Sequence, residues 1–211
     1  MGSDSLRKLD QSFFAKPAAE LAHDLIGKIV VRQVGRKEIR ARIVETEAYV
    51  GSHDLACHAA KGRTKRTEVM FGPAGRAYVY LIYGVYDMFN IVASEVDDPQ
   101  AVLIRAAEPL DGWSADLSGP GKFSRALQIT RAENGLDLTS DQLYFVDDPT
   151  DRPQVFVTPR IGIDYAAEWK HELLRFIDPA SAALSSKLGC HPTGPSRSAQ
   201  TRPPDFVFDG Q

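Results

Sequence analysis

Two carboxylates and a tyrosine alternate along one short run of this 211-residue chain, and that spacing suggests acid–base chemistry on a single surface. Residues 40–51 read R-A-R-I-V-E-T-E-A-Y-V-G. In an extended strand, residues two apart share a face, so Glu45, Glu47 and Tyr49 are expected to point the same way. Ionised carboxylates against an apolar wall are strongly disfavoured unless paired, so such a face needs either a cationic partner or a chemical job. A polar loop holding His58 follows, and then residues 77–90 read A-Y-V-Y-L-I-Y-G-V-Y-D-M-F-N.

A tyrosine-rich strand is ordinarily core, because aromatic rings favour sheets. Tyr83 differs, since it precedes Gly84 at the expected tip of a hairpin, where a ring has little protein to pack against. An exposed ring on a rigid tip suits a wedge. Proteins that distort duplexes insert such side chains into the base stack, at about a few kcal/mol per unstacked step. With a three-residue loop over 83–85, Ile82 pairs with Tyr86, and Asn90 falls opposite Tyr78 on the face that carries Tyr80. A two-residue loop turns Asn90 away.

The elements that must hold these residues follow from periodicity and breakers. The spacing of Leu21, Ala22 and Leu25, with Pro17 early and Gly27 at the end, predicts a helix over 12–27. Val- and Ile-rich runs over 28–34 and 38–50 predict a hairpin turning at Gly35-Arg36. Residues 51–73 are a long connection with a short helix over 54–60, and connections of that length are often functional. A second hairpin pairs 76–82 with 86–93, and 101–106 supplies another strand. Gly119-Pro120-Gly121 opens a helix over 122–129, and 153–163 returns to extended structure. The expected domain covers 12–188, between a flexible N-terminus over 1–11 and a Gly, Pro and Ser-rich tail over 189–211.

At 43% hydrophobic residues the chain can bury one core, and one domain is expected rather than two. Its apolar runs are strand-sized, well short of the roughly 20 residues that cross a bilayer. Residues 1–10 are polar and charged, unlike an export signal. Cys57 and Cys190 lie far apart and in no metal-type spacing. Reduced thiols in an intracellular compartment are the expectation, and if the source is bacterial that means the cytoplasm or nucleoid. The net charge of −3 lacks the usual nucleic-acid footprint. Locally, however, Lys61, Arg63, Lys65, Arg66 and Arg76 face only Glu68 over 61–76. That window reads either as a phosphate-facing patch or as a solvated loop.

Taken together, E-T-E-A-Y-V-G, His58 eleven residues after Glu47, M-F-G-P-A-G-R-A-Y-V-Y-L-I-Y-G-V-Y and V-L-I-R-A-A-E-P-L resemble the alkyladenine (3-methyladenine) DNA glycosylase family. The ordered similarity runs from F-F-A-K-P-A-A-E-L-A-H-D-L-I-G-K through S-G-P-G-K-F to R-I-G-I-D-Y-A-A-E-W-K. With the element order, it implies an α+β fold: one compact domain on a curved, mostly antiparallel sheet, with a protruding hairpin and surrounding helices. It also implies a monomeric, cofactor-free and metal-free enzyme that acts on double-stranded DNA containing a damaged purine, with no membrane partner.

Carried over by position, Glu47 matches the general base that activates water, and Arg105 the arginine beside that water. The main-chain carbonyl of Ile161 matches a further water contact. Tyr49, His58 and Tyr80 match the rings that sandwich a flipped base, with Tyr78 on the same wall. Asn90 matches the pocket-floor amide that disfavours guanine, and Tyr83 the intercalating wedge. Lys61, Arg63, Lys65, Arg66 and Arg76 are the expected contacts to the DNA backbone, and Glu45 stays open between catalysis and an ion pair.

Three features depart from the family pattern: Ala166-Ala167 where A-G is commoner, Gly121 in place of a serine, and the segment 176–184. Other readings have weaker support. A zinc deaminase needs H-x-E and P-C-x-x-C signatures, which this sequence lacks. His53, Cys57 and His58 fit no common metal spacing, and neighbouring Cys57 and His58 make a poor nucleophile–base pair. A non-catalytic binder of damaged DNA keeps the pocket and wedge but has no use for Glu47 and Arg105.

Overall fold

The acid run lies on the longest strand of a nine-stranded sheet in a computed structural model, which describes residues 6–186. The strands are β1 (Arg7–Lys8), β2 (Ile29–Val34), β3 (Lys37–Tyr49), β4 (Ala77–Ile82), β5 (Tyr86–Ala93), β6 (Gln100–Pro109), β7 (Leu143–Asp147), β8 (Phe156–Thr158) and β9 (Arg175–Ile177). Three helices accompany them: α1 (Gln11–Phe14), α2 (Ala18–Asp24) and α3 (Pro120–Ala126). All strand pairs described are antiparallel, in the order β1-β7-β2-β3-β6-β5-β4. β9 joins β3 and carries β8 on its far side. β2 pairs with β3 up to Arg42, and β9 pairs with Glu45, Thr46 and Glu47, so two strands share one edge of β3 in succession. The class is α+β, as expected from the sequence.

A local irregularity decides which way the acids face. Ile39, Ala41 and Ile43 point into the main core, and simple alternation would send Glu45 and Glu47 after them. Instead Ile43 pairs with Ala107 and Glu45 with Ala106, which makes Val44 an extra residue on β3. The next step, from Glu45–Ala106 to Thr46–Ile104, makes Arg105 the extra residue on β6. A bulge of this kind inverts the faces of the residues beyond it. Past it, Ala48 joins the core and the Thr46 hydroxyl donates to the Ala22 carbonyl of α2, while Glu45, Glu47 and Tyr49 turn to the opposite side.

That core lies beneath the helices. Phe14, Leu21, Leu25, Phe123 and Leu127 pack with Val30, Phe89, Ile91, Ile104 and Phe145, and all are fully buried. Each such side chain contributes roughly 1.5–3 kcal/mol relative to exposure. On the other face the connection after β3 folds back, and Cys57, Ala59 and Met70 pack against Tyr78, Val92 and Ala101. β4 and β5 serve both sides: Val79, Phe89 and Ile91 face the helices, and Tyr78, Tyr80 and Asn90 face the connection.

Some expectations change. The single helix over 12–27 is two helices, because Pro17 takes the N-cap of α2 and disfavours helical backbone at Lys16. The expected helix over 54–60 is a 3-10 turn at His58–Lys61, followed by another at Glu68–Phe71. α3 begins at Pro120, which suits the first helical turn. Order also starts ahead of residue 12: Arg7–Lys8 pairs with β7, Leu9 is buried, and Asp10 caps α1 by accepting the Ser12 N–H. The tail over 189–211, with Cys190, lies outside the described residues.

Candidate active site

β3, β6 and β9 bring four charged side chains together beside a pocket. Glu47 is fully buried. Its Oε1 accepts the Ile161 main-chain N–H at 2.8 Å, and its Oε2 accepts from the Tyr49 hydroxyl at 3.0 Å and from Arg105 Nη1 at 3.2 Å. Glu45, equally buried, accepts from Arg105 Nε at 3.1 Å and from Arg175 Nε at 2.7 Å. The cluster thus holds two carboxylates and two guanidiniums, the pairing that buried charge demands. Burial alone would lower the Arg105 pKa, but Glu47 and Glu45 raise it above its ordinary value, so the guanidinium stays charged.

Glu47 is not itself among the residues that line the pocket, but Tyr49, Arg105 and Ile161, the three groups that hydrogen-bond it, all stand in the wall. The pocket encloses about 140 Å³. A cavity of about 150 Å³ takes a benzene ring, so the space has the scale of a flat aromatic ligand. His58, Tyr78, Tyr80 and Asn90 complete the wall that the sequence singled out. The His58 and Tyr80 rings meet edge to face at 4.4 Å, and His58 Nδ1 lies 2.9 Å from the Tyr78 hydroxyl. Burial, reinforced by Arg66 and Lys61, pushes the His58 pKa down to about 4. The ring is therefore neutral near pH 7. Burial likewise raises the tyrosine hydroxyls, Tyr78 to about 12 and Tyr49 well above its ordinary value with help from Glu47.

Asn90 is 2% exposed and opposite Tyr78, the register of a three-residue hairpin loop. Its Nδ2 donates to the carbonyls of Tyr78 and Met88, both at 3.2 Å. Both amide hydrogens are thereby committed to the hairpin's own backbone. At the tip, Tyr83 is 86% exposed with a left-handed φ of 52°, followed by Gly84 at 69°. Tyr86 packs on α3 so closely that a Cβ at Gly121 would fall 2.8 Å from its ring.

The basic residues divide. Arg63 is engaged by Glu68 and Asp97, and Arg76 lies 3.4 Å from Asp137. The Arg66 guanidinium sits over the Tyr80 ring at 5.0 Å, beside the pocket. Lys61 and Lys65 have no carboxylate partner among the described residues. His53, Cys57 and His58 turn to different neighbours: the Trp169 ring, the Pro99 carbonyl and Tyr78. No group of three His, Cys, Asp or Glu among the described residues is arranged to hold a metal ion. No described helix is long and apolar enough to cross a membrane.

The model of the Methylpurine-DNA glycosylase family matches residues 12–182 of this sequence. The chain belongs to that family. Among relatives of this glycosylase family member, a Legionella pneumophila (strain Corby) protein is 49% identical over 173 residues, covering 81% of this chain and 94% of the relative. A Methanocella arvoryzae protein is 45% identical over 193 residues, covering 85% and 96%. One from Myxococcus xanthus is 49% identical over 170 residues, covering 79% and 88%. All three carry the name "Putative 3-methyladenine DNA glycosylase".

Five residues of the candidate site carried no clear signal in the sequence. Arg175 and Ser185 contact Glu45 from the far end of the chain. Asp54 and Arg160 form a buried ion pair, and the Arg160 guanidinium lies 4.8 Å from the centre of the Tyr49 ring. Tyr165, 72% exposed, lines the pocket rim. The only local signal for any of them was the position of Arg160 beside Ile161. Ile161 itself meets Glu47 through its amide N–H, whereas the resemblance drew attention to its carbonyl.

Proposed function

We propose that the protein is a DNA repair glycosylase that flips an alkylated or deaminated purine out of duplex DNA and hydrolyses its N-glycosidic bond. An abasic site remains for base excision repair. The observation that carries this reading is Glu47, a buried carboxylate held by Arg105, Tyr49 and the Ile161 amide behind a pocket of aromatic-ring size.

The chemistry follows from the charges. As the bond between C1′ and the base nitrogen breaks, its electron pair leaves with the base and positive charge grows on the sugar. Glu47 stabilises that charge and takes a proton from the water that adds to C1′. A purine alkylated at a ring nitrogen is cationic, so it leaves as a neutral base. The same charge favours stacking on Tyr49, neutral His58 and Tyr80 through cation-π attraction. Each base–aromatic stack is worth about 1–3 kcal/mol, comparable with the few kcal/mol that unstacking and unpairing require.

Tyr83 fills the gap left in the stack, Tyr78 supports the wall, and Asn90 is a pinned floor that disfavours guanine by its exocyclic amine. Lys61, Lys65 and Arg66 face the DNA backbone, with Arg63 and Arg76 as lesser contributors because carboxylates already hold them. One pocket and one wedge serve one lesion, so the working form is a monomer and needs no cofactor.

Single-turnover base release from labelled duplexes carrying 7-methylguanine, ethenoadenine or hypoxanthine tests this. The parent should leave alkali-labile abasic sites, and Glu47→Gln should bind the same duplex while losing at least the 10²- to 10⁴-fold typical of a general base. Tight lesion binding without cleavage by either protein would make it a damaged-DNA binding module instead.

A further inference from the structure

Glu45 is the buried acid that the hydrolytic scheme leaves without a task. Like Glu47 it is fully buried and does not itself line the pocket, but of its hydrogen-bond partners only Arg105 reaches the pocket wall, and both of its oxygens are occupied. Oε1 accepts from Arg175 Nε and Ser185 Oγ, each at 2.7 Å, and from Arg105 Nε at 3.1 Å. Oε2 accepts the Ser185 N–H at 2.6 Å. We propose that Glu45 is a positioning residue for base release: it holds Arg105 by one edge so that the other edge meets Glu47, and it neutralises Arg175.

Three observations carry this. First, Arg105 is the extra residue on β6, at a point where the regular ladder is interrupted, so its side chain needs an anchor beyond the sheet itself. Second, a guanidinium is a rigid planar fork, and here Nε goes to Glu45 and to the Ser185 hydroxyl that Glu45 itself binds, while Nη1 goes to Glu47. Fixing one edge fixes the other. Third, Arg175 stands opposite Glu47 in the β3–β9 register but directs its Nε to Glu45. Without Glu45, two guanidiniums would compete for the single carboxylate that must take a proton from water. The remaining polar groups around Glu47 are the Ile161 main-chain N–H, Tyr49 on its own strand, Tyr80 from β4, and Arg160, whose charge is paired with Asp54. None of them is a second anion.

The inference rests on the roles proposed for Glu47 and Arg105, and its test separates the two. Glu45→Gln, Glu45→Gln/Arg175→Gln, Glu45→Asp and Glu47→Gln are compared in the full chain by single-turnover base release and by affinity for the lesion duplex. Glu45→Gln should slow release on the order of 10- to 100-fold, the scale on which losing an orienting partner acts behind metal ligands, with duplex affinity unchanged. Removing both charges should restore part of that rate, because the balance around Glu47 returns.

A double variant no faster than Glu45→Gln, or a parallel fall in rate and affinity, would reduce Glu45 to a support of the fold and overturn the proposal. If Glu45→Gln does not fold, Glu45→Asp decides, since it keeps the charge and draws the carboxylate back from Arg105. Slower release at unchanged affinity supports the positioning role, and an unchanged rate overturns it. Parent-like release by Glu47→Gln would overturn the hydrolytic reading, and the role of Glu45 with it.

Discussion

Ala167 holds a backbone position better suited to glycine. Its φ is 49°, and left-handed backbone costs an L-residue roughly 1–2 kcal/mol. Glycine there removes that strain but gives the unfolded chain about 0.4–1 kcal/mol of additional freedom. Ala167→Gly should therefore stabilise the protein by about 0.5–1 kcal/mol in urea unfolding, without altering base release.

His58 makes a second prediction at this scale. Its pKa falls from 6.5 to about 4 on folding, so the unfolded chain takes up the proton first as pH falls. The stability contributed by neutral His58 is complete above pH 6.5 and is lost on the way to pH 4. An imidazole NMR titration should show the low midpoint, and His58→Gln should flatten the loss of stability across that window. Glu47, Arg105 and the ring residues were legible through motifs. Arg175 was not, because its partner lies 130 residues away in the chain and nothing local distinguishes it from a surface arginine.

At the scale of elements, the hairpin and α3 set one another's position through Gly121. A serine Cβ there would fall 2.8–3.0 Å from the Tyr86 ring and 3.2 Å from its Cβ, so Tyr86 and the hairpin that carries it, or α3, must give way. Gly121→Ser should weaken lesion-duplex binding several-fold and leave release from the bound complex less affected. Equal losses in both would place the strain in the pocket instead. The β4–β5 register was readable because loop length and alternation agree over residues 77–93. The inversion within β3 was not readable. Ile39, Ala41, Ile43, Glu45 and Glu47 share one parity in the sequence, and only the extra residue at Val44 separates oily from acidic. β9 was hidden for another reason, since a three-residue strand with arginine at its start carries no periodic signal.

For the molecule as a whole, a negative net charge confines attraction for DNA to a small area. With Lys61, Lys65 and Arg66 as the available cations of the basic loop, their contribution to the slope of log affinity against log salt should be about −0.9 for each phosphate neutralised. Lys65→Gln should flatten the slope by nearly that amount. Arg63→Gln should change it little, because Glu68 and Asp97 already hold that guanidinium.

The single domain and its class could be anticipated from composition and element order, but the closure of the acid cluster by distant segments could not. Synthesis runs from residue 45 toward residue 185, so a ribosome finishes both glutamates and Arg105 long before Arg175 and Ser185 emerge. During that interval the nascent chain carries two acids against one guanidinium, and β3 lacks its β9 neighbour. The pairing that lets both carboxylates stay buried is therefore completed only when the last described segment arrives, which ties closure of the acid cluster to late translation of the domain.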